Sequence, residues 1–228
     1  MKRFWTAVAV TPDCGVALDG RPVRTPGRAM LLLPTAALAE AVADEWRAVG
    51  DTLDPRAMPL TGLANAAVDR IAPDPASFAA GLARYGESDL LCYRAENPPE
   101  LVARQTAAWD PVLAWARRRY DVHVETVAGI MHRPQPAATL TRLGEAVGSQ
   151  DAWTLAALAP LVTLAGSVLL GLALVEGAIA PDAAWVAAHV DEDWQAELWG
   201  VDPLAQDRRA HRRREFDAAI SFLRLSRS

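Results

Sequence analysis

The chain contains 228 residues, of which 51% are hydrophobic and 22% are charged, and its formal net charge is −5. These values describe a globular protein with a substantial core and exclude an intrinsically disordered chain. The acidic balance argues against a molecule built as a whole to hold a polyanion such as nucleic acid.

The N-terminal segment predicts antiparallel β-structure. Phe4–Val10 is a strand-like apolar run that is too short to be the core of a signal peptide. Val16–Leu18 leads into Asp19-Gly20, a dipeptide typical of a tight hairpin turn. Further short runs of the same kind follow, so we expect a small β-rich domain over residues 1–60.

Helical periodicity dominates from Leu60 almost to the end of the chain, which predicts an all-helical domain over residues 61–228. A long amphipathic helix is expected to begin near Pro99 and to continue to Tyr120. Further helices are expected after it, the last of them over Leu204–Leu225. The predicted fold class is therefore α+β, with a small antiparallel β-rich domain followed by a larger helical one.

One stretch, Leu158–Val175, contains no charged residue and is about as long as a helix that spans a bilayer. Its flanks, Asp151 and Glu176, are acidic, and no lysine or arginine lies close to either end, so the charge signal of a membrane helix is missing. We therefore predict a buried central helix and no membrane insertion. Detergent-dependent solubility would indicate membrane association instead.

Motifs for cofactor or metal chemistry are missing from the sequence. There is no Gly-rich phosphate loop, and the four histidines share no metal-ligand spacing. Cys14 and Cys92 lie far apart and outside any Cys/His cluster, which is typical of reduced thiols in a cytoplasmic protein. We therefore expect no cofactor and no metal. We also expect no nucleic acid partner, because carboxylates interrupt the arginines of the last helix.

Two segments combine carboxylates with aromatic side chains. Their residues are Tyr85, Glu87 and Asp89 in the first segment and Asp191, Glu192, Asp193, Trp194 and Trp199 in the second. Consecutive carboxylates repel one another, so intrinsic helix stability does not account for the second segment. Two interpretations remain open, which are a solvated helix face neutralised by nearby arginines and a partner-binding patch with aromatic anchors beside charges.

With these segments in view, the chain resembles a known family, the assembly chaperones of the F-type ATP synthase that act on the alpha subunit of the catalytic sector. The resemblance covers nearly the whole chain, and residues 123–150 and the Arg-rich end contribute little to it. The blocks that carry it are Leu18–Pro26 (LDGRPVRTP), Glu45-Trp46, Met58–Thr61 (MPLT), Arg84–Arg94 (RYGESDLLCYR), Asp191–Gln195 (DEDWQ) and Trp199-Gly200.

The resemblance implies a function without catalysis. Members of this family hold the unassembled alpha subunit and shield the surface that later contacts the beta subunit, which prevents aggregation. Their fold, a small β-rich domain followed by a larger helical one, agrees with the predicted pattern. The acidic segment near the C-terminus is linked to chaperone action in the family, and here it corresponds to Glu192 with Asp191 and Asp193. The missing transit peptide points to a bacterial, cytoplasmic member.

All eight residues of the two segments are therefore candidates for contact with the alpha subunit. The alternative function is a small-molecule hydrolase that uses Glu87, Asp89 and His189. That function would require the three side chains to converge in one closed pocket, with at least one perturbed pKa.

Overall fold

The computed structural model describes residues 2–228 and has the predicted α+β architecture. Strands β1 (Val8–Val10), β2 (Val16–Leu18) and β3 (Arg21–Pro22) form an antiparallel sheet in that order. Strand β2 is the middle strand, and all three of its residues are buried. The predicted N-terminal sheet is thus confirmed, although β1 is shorter than the apolar run Phe4–Val10 that predicted it.

The turn between β2 and β3 uses the predicted dipeptide. Asp19 and Gly20 adopt φ angles of 48° and 77°, the left-handed backbone that a tight hairpin turn requires. The Asp19 carboxylate also accepts hydrogen bonds from the backbone N–H groups of Ala7 and Thr6, at 2.8 and 3.1 Å. These bonds lower the pKa of Asp19, the bond from Ala7 most, and they fasten the start of the chain to the hairpin.

The regular structure after the sheet is helical, except for a short parallel pair of strands, β4 (Tyr93–Arg94) and β5 (Val127–Ala128). The helices are α1 (Ala36–Ala48), α2 (Pro59–Ala66), α3 (Pro75–Ala83), α4 (Pro99–Tyr120), α5 (Ala137–Gly148), α6 (Ala152–Ala165), α7 (Val168–Val175), α8 (Pro181–Ala188), α9 (Val190–Trp199) and α10 (Pro203–Leu225). Short 3₁₀ turns lie at Pro55–Ala57, Arg84–Ser88 and Leu90–Cys92, and a π turn at Ala67–Ile71 continues α2. The long predicted helices are confirmed as α4 and α10.

The apolar stretch Leu158–Val175 forms parts of two helices and not the single helix that was expected. Helix α6 ends before Gly166, which adopts a φ of 63°, and α7 begins after Ser167. The Ser167 hydroxyl accepts a hydrogen bond of 3.0 Å from the N–H of Leu170, so Ser167 is the N-cap of α7. Every residue of α7 is buried, so this part of the stretch does lie in the helical core.

Replacing Ser167 with alanine is expected to lower the free energy of unfolding by about 1–2 kcal/mol, because the substitution removes the cap of a fully buried helix. Urea unfolding followed by circular dichroism measures the loss. Thr163→Ala is the matched control, since the Thr163 hydroxyl is exposed and donates to a carbonyl in the preceding turn, and its loss should stay below about 0.5 kcal/mol. Equal losses in both variants would contradict the capping role.

By its contacts the chain divides into two units. The first holds the residues up to Pro75, Asp151–Ala157 and Glu215–Ser228, and the second holds Ala76–Gln150 and Leu158–Arg214. The domain boundary predicted between residues 60 and 61 therefore does not separate the units, because it falls inside α2. Among residues 2–228, no helix combines the length and the hydropathy that crossing a bilayer requires.

Glu45 connects α1 with α2 in the first unit. Its carboxylate, on α1, accepts hydrogen bonds of 2.7 Å from the backbone N–H groups of Leu60 and Thr61 and another of 2.7 Å from the Thr61 hydroxyl. These N–H groups lie in the first turn of α2, where the helix dipole favours a negative charge. Burial nevertheless raises the pKa of Glu45. The contact fixes α2 to α1 within the first unit.

Candidate functional site

Helix α9 carries the acidic segment, and the sequence explains where it begins and ends. Asp191, Glu192 and Asp193 occupy its first turn, where carboxylates complement the positive end of the helix dipole. At its other end Gly200 adopts a φ of 84°, a conformation that stops the helix at little cost for glycine. The helix thus presents three of its four carboxylates at one end and its last tryptophan at the other.

Two carboxylates of α9 face arginines of α10. Asp193 pairs with Arg209, and the two oxygens of Glu192 accept hydrogen bonds of 3.2 and 2.8 Å from the terminal nitrogens of Arg212. The bond to Asp193 raises the pKa of Arg209. Both pairs are partly exposed, so each adds little stability by itself. This geometry agrees with the interpretation of a helix face neutralised by arginines.

Asp191 has a different environment. Its Oδ1 accepts a hydrogen bond of 2.7 Å from Nε2 of Gln105, and Oε1 of Gln105 accepts one of 2.8 Å from the N–H of Ala95. Gln105 is buried, so this connection between α9 and the chain after β4 runs through the interior. Asp191 therefore orients α9 through its bond to Gln105, a buried residue of α4.

The two tryptophans of α9 differ in exposure. Trp194 is half-buried beneath the guanidinium of Arg104, whose Cζ lies 4.8 Å from the ring centroid. Arg104 also pairs with Glu197 at 2.7 Å, and the bond to Glu197 raises the pKa of Arg104. Trp199, by contrast, is exposed at the end of the helix. An exposed tryptophan at a fixed position is a common anchor of protein interfaces.

Trp199 belongs to a larger exposed apolar surface, which we call the α9–α10 elbow. The elbow consists of Leu198, Trp199, Val201 and Leu204, whose exposed fractions are 56%, 78%, 53% and 67%. Beside it, α9 and the first half of α10 line a groove of about 1060 Å³ that contains the Glu192–Arg212 pair. Clustered apolar side chains with a charged rim mark interaction sites. The sequence analysis did not identify Leu198, Val201 and Leu204 as site residues, although apolar residues on both sides of Gly200 could have indicated this surface.

The fold separates the residues of the other predicted segment. Glu87 is exposed and lines a groove of about 480 Å³ between α3 and α5. Tyr85 is half-buried two residues before it, and Asp89 is fully enclosed two residues after it. The structure therefore does not present the three side chains as one surface.

Asp89 holds two pieces of the fold together. Its Oδ1 accepts a hydrogen bond of 3.0 Å from the N–H of Leu91, and its Oδ2 accepts one of 3.1 Å from the N–H of Leu169 in the first turn of α7. The side chain is 1% exposed, so a partner has no access to it in this fold. We therefore withdraw Asp89 from the predicted contact residues and assign it a capping role. Sequence alone did not distinguish it from the exposed Glu87.

The pH dependence of stability should report this burial. Desolvation raises the pKa of Asp89 from 3.8 to about 6, while hydrogen bonds from Leu169, Leu91 and Ser167 act in the opposite direction. The folded protein then binds the proton more tightly than the unfolded chain, so the stability that comes from binding this proton is lost as the pH rises through about 6, while the hydrogen bonds from Leu91 and Leu169 remain.

We expect the wild type to gain stability between about pH 7.5 and about pH 5, relative to the Asp89→Asn variant, because only the wild type takes up this proton. Urea unfolding of both proteins at the two pH values measures the difference. An identical pH dependence in the two proteins would contradict the raised pKa.

The hydrolase alternative required Glu87, Asp89 and His189 to meet in one pocket. His189 is buried at the break between α8 and α9, where its Nδ1 donates to the Trp185 carbonyl at 2.8 Å and burial lowers its pKa. Across residues 2–228 we find no contact that joins these three side chains. The same described residues include no group of three His, Cys, Asp or Glu side chains placed to hold a metal ion. The alternative therefore has no common site.

Comparison with known proteins adds an independent finding. The family model described as ATP12 chaperone protein matches residues 2–117 of this chain. The Schizosaccharomyces pombe protein named "Protein atp12, mitochondrial" is 24% identical over 214 residues, which cover 87% of this chain and 74% of that protein. The similarity therefore extends beyond the residues that the family model matches.

Two solved structures share both sequence and fold with this chain. The crystal structure of Atp12 from Paracoccus denitrificans is 41% identical with a TM-score of 0.91, over 99% of this chain and 98% of that chain. The Atu1473 protein from Agrobacterium tumefaciens is 42% identical with a TM-score of 0.90, over 98% of this chain and 85% of that chain. The elbow and the acidic helix α9 thus lie in a region that these bacterial proteins share.

Proposed function

Since this chain belongs to the ATP12 chaperone family, we propose that it acts in the assembly of the F-type ATP synthase by holding the unassembled alpha subunit. The sequence blocks described above support the alpha subunit as the client. In this proposal the chaperone covers the surface of alpha that later contacts beta, and so prevents its aggregation. Its affinity must be moderate, because the beta subunit has to displace it.

The proposed mode of binding rests on one observation. The exposed elbow lies beside a charged groove. Leu198, Trp199, Val201 and Leu204 are close in sequence and offer the client exposed apolar side chains without any rearrangement of the core. A subunit surface that awaits its partner is itself apolar, and burial of the two surfaces against each other provides the driving force. The charged rim then orients the client.

Among the acidic residues, we propose that Glu192 contributes most to this rim. Its side chain is half exposed and lines the groove, whereas Asp191 is tied to Gln105 in the interior. Asp193 and Trp194 support the helix from its less exposed side. Tyr85 and Glu87 remain a proposed second contact, on the α3–α5 groove.

We also propose that this chain is cytoplasmic and that it holds its client without catalysis. The relatives from Paracoccus and Agrobacterium support a bacterial setting, and the family description supports a chaperone role. Fractionation of cells that produce the tagged chain at its natural level tests the location, and recovery outside the cytoplasm would contradict it.

An aggregation assay tests the function. Unassembled alpha subunit is diluted from denaturant, and light scattering is followed with and without the chaperone. We expect the wild type to suppress scattering and Glu192→Lys to lose most of this suppression, because the reversed charge repels the client at the rim. Glu40→Lys, an exposed charge reversal on α1, is the matched control and should behave as the wild type. Equal suppression by Glu192→Lys would remove Glu192 from the site, and a wild type without suppression would contradict the function.

A further inference from the structure

The first half of α10 is attached to the fold in an unusual way. We call Pro203–Arg214 the α10 arm, and within this described segment none of the side chains is buried. The second half of the same helix, in contrast, buries Phe216, Ala219, Phe222 and Leu223. A helix in a globular protein normally owes most of its tertiary stabilisation to an apolar face. The arm lacks such a face.

Charged contacts connect the arm to α8 and α9. The ion pairs are Arg209 with Asp193, Arg212 with Glu192 and Arg213 with Asp182. Arg212 and Arg213 follow Arg209 by three and four residues, which places the three arginines on one side of the helix. Arg213 also lies over the ring of Trp185, with its Cζ 5.4 Å from the centroid. Partly exposed ion pairs are individually weak and are screened by salt.

The charges of the two helices are strongly complementary. Helix α9 contains four carboxylates and no lysine or arginine, whereas the α10 arm contains five arginines and one aspartate. The groove of about 1060 Å³ lies between them, and Trp199 lines it at the elbow end. The arm therefore occupies two of the α9 carboxylates, Glu192 and Asp193, and Asp182 of α8, which an incoming basic segment would otherwise contact.

We propose that the α10 arm is a strap that occupies Asp182, Glu192 and Asp193 in the free chaperone and yields these carboxylates to a basic, amphipathic helical segment of the client. This inference rests on the proposed function and adds the chemistry of the segment that binds. The fitting segment carries basic side chains three or four residues apart, as the arm does, and apolar side chains that meet the elbow. An acidic segment would be repelled by α9.

Replacement of the arm by the client's basic segment explains how the chaperone can bind its client both selectively and reversibly. The client replaces one set of ion pairs by another, so the charged contacts change little in free energy and mainly select a basic segment. The net gain comes from burial of the elbow side chains outside the arm, Leu198, Trp199 and Val201, whose area is limited. Such binding is moderate, and a subunit that buries more apolar surface can displace the chaperone.

The first test uses the full chain without any client. Hydrogen exchange of the arm amides is compared at about 0.02 M and about 0.5 M salt, where screening shortens from roughly 20 Å to a few ångströms. We expect exchange within residues 203–214 to accelerate at least about fivefold at high salt, and to be fast at both concentrations in Arg212→Ala. Arg119→Ala, which breaks the exposed pair with Glu176, is the matched control and should leave the arm unchanged. Salt-independent slow exchange of the arm would overturn the strap.

The second test measures affinity with two synthetic amphipathic peptides of about fourteen residues that share their apolar positions and carry either arginine or glutamate. We expect the arginine peptide to bind wild type, Arg212→Ala to bind it at least about threefold more tightly, and Glu192→Lys to bind it weakly. If the arm only stabilises the fold, both variants should bind the arginine peptide more weakly than the wild type does. That result would overturn the inference. If the arm opens and takes the peptide but unassembled alpha subunit is not bound, the proposed function fails while the strap stands.

Discussion

Replacing Asp89 with alanine is expected to lower the free energy of unfolding by about 3 kcal/mol, the largest stability loss that we predict for a single carboxylate in this chain. The substitution leaves the N–H groups of Leu91 and Leu169 without their acceptor in a region that water does not reach. It also removes the contact that joins the 3₁₀ turn after Asp89 to the first turn of the buried α7. Chemical denaturation near pH 7, followed by tryptophan fluorescence, measures the change.

Glu87→Ala is the matched control for this prediction. Glu87 lies two residues away in the same segment, but its side chain is exposed, so its removal should cost less than about 0.5 kcal/mol. A loss for Asp89→Ala no larger than the loss for Glu87→Ala would show that the capping contacts contribute nothing and would restore the case for a surface role.

Replacing Trp199 with serine is expected to weaken binding of the alpha subunit by about 30-fold or more, which corresponds to about 2 kcal/mol. Trp199 offers the largest apolar side chain of the elbow, and 78% of it is exposed and ready for burial by a client. The stability of the free protein should change by less than about 0.5 kcal/mol, because the side chain contributes little to the core. Titration of labelled alpha subunit with the chaperone gives the affinity, and thermal unfolding gives the stability.

Ile130→Ser is the control that distinguishes specific binding through Trp199 from non-specific hydrophobic binding. Ile130 is also a large apolar side chain, 94% exposed, but it lies in the loop after β5 and outside the elbow. We expect this variant to bind the alpha subunit as the wild type does. If both variants lose affinity to the same degree, binding depends on total exposed apolar area and not on the elbow.

The parts of the fold that local sequence determines were predictable. The Asp19-Gly20 turn follows from the two residues themselves, and α4 follows from Pro99 at its start and its apolar stripe. The break between α6 and α7 was not predictable in the same way. Where every side of a helix is apolar, periodicity carries no sign of an interruption, and the cap at Ser167 works together with Asp89, which is distant in sequence.

In the candidate site, too, the features set by local sequence were predictable and those set by tertiary contacts were not. The acidic turn of α9 and the aromatic Trp199 stood out in the sequence, because consecutive carboxylates and a terminal tryptophan are unusual by composition alone. Whether a carboxylate is exposed or buried depends on tertiary contacts, so Glu87 and Asp89 could not be told apart. The elbow also escaped notice, since Leu198, Val201 and Leu204 look like ordinary core residues until the fold leaves them exposed.

Co-purification of the tagged chain with separately produced ATP synthase subunits tests the central claim most directly. We expect the wild type to retain the alpha subunit and not the beta subunit, and we expect added beta subunit to release the chaperone from alpha. Retention should be lost in Trp199→Ser and kept in Ile130→Ser. Failure to retain alpha, or retention of beta in its place, would contradict the account of this chain as the holder of the unassembled alpha subunit.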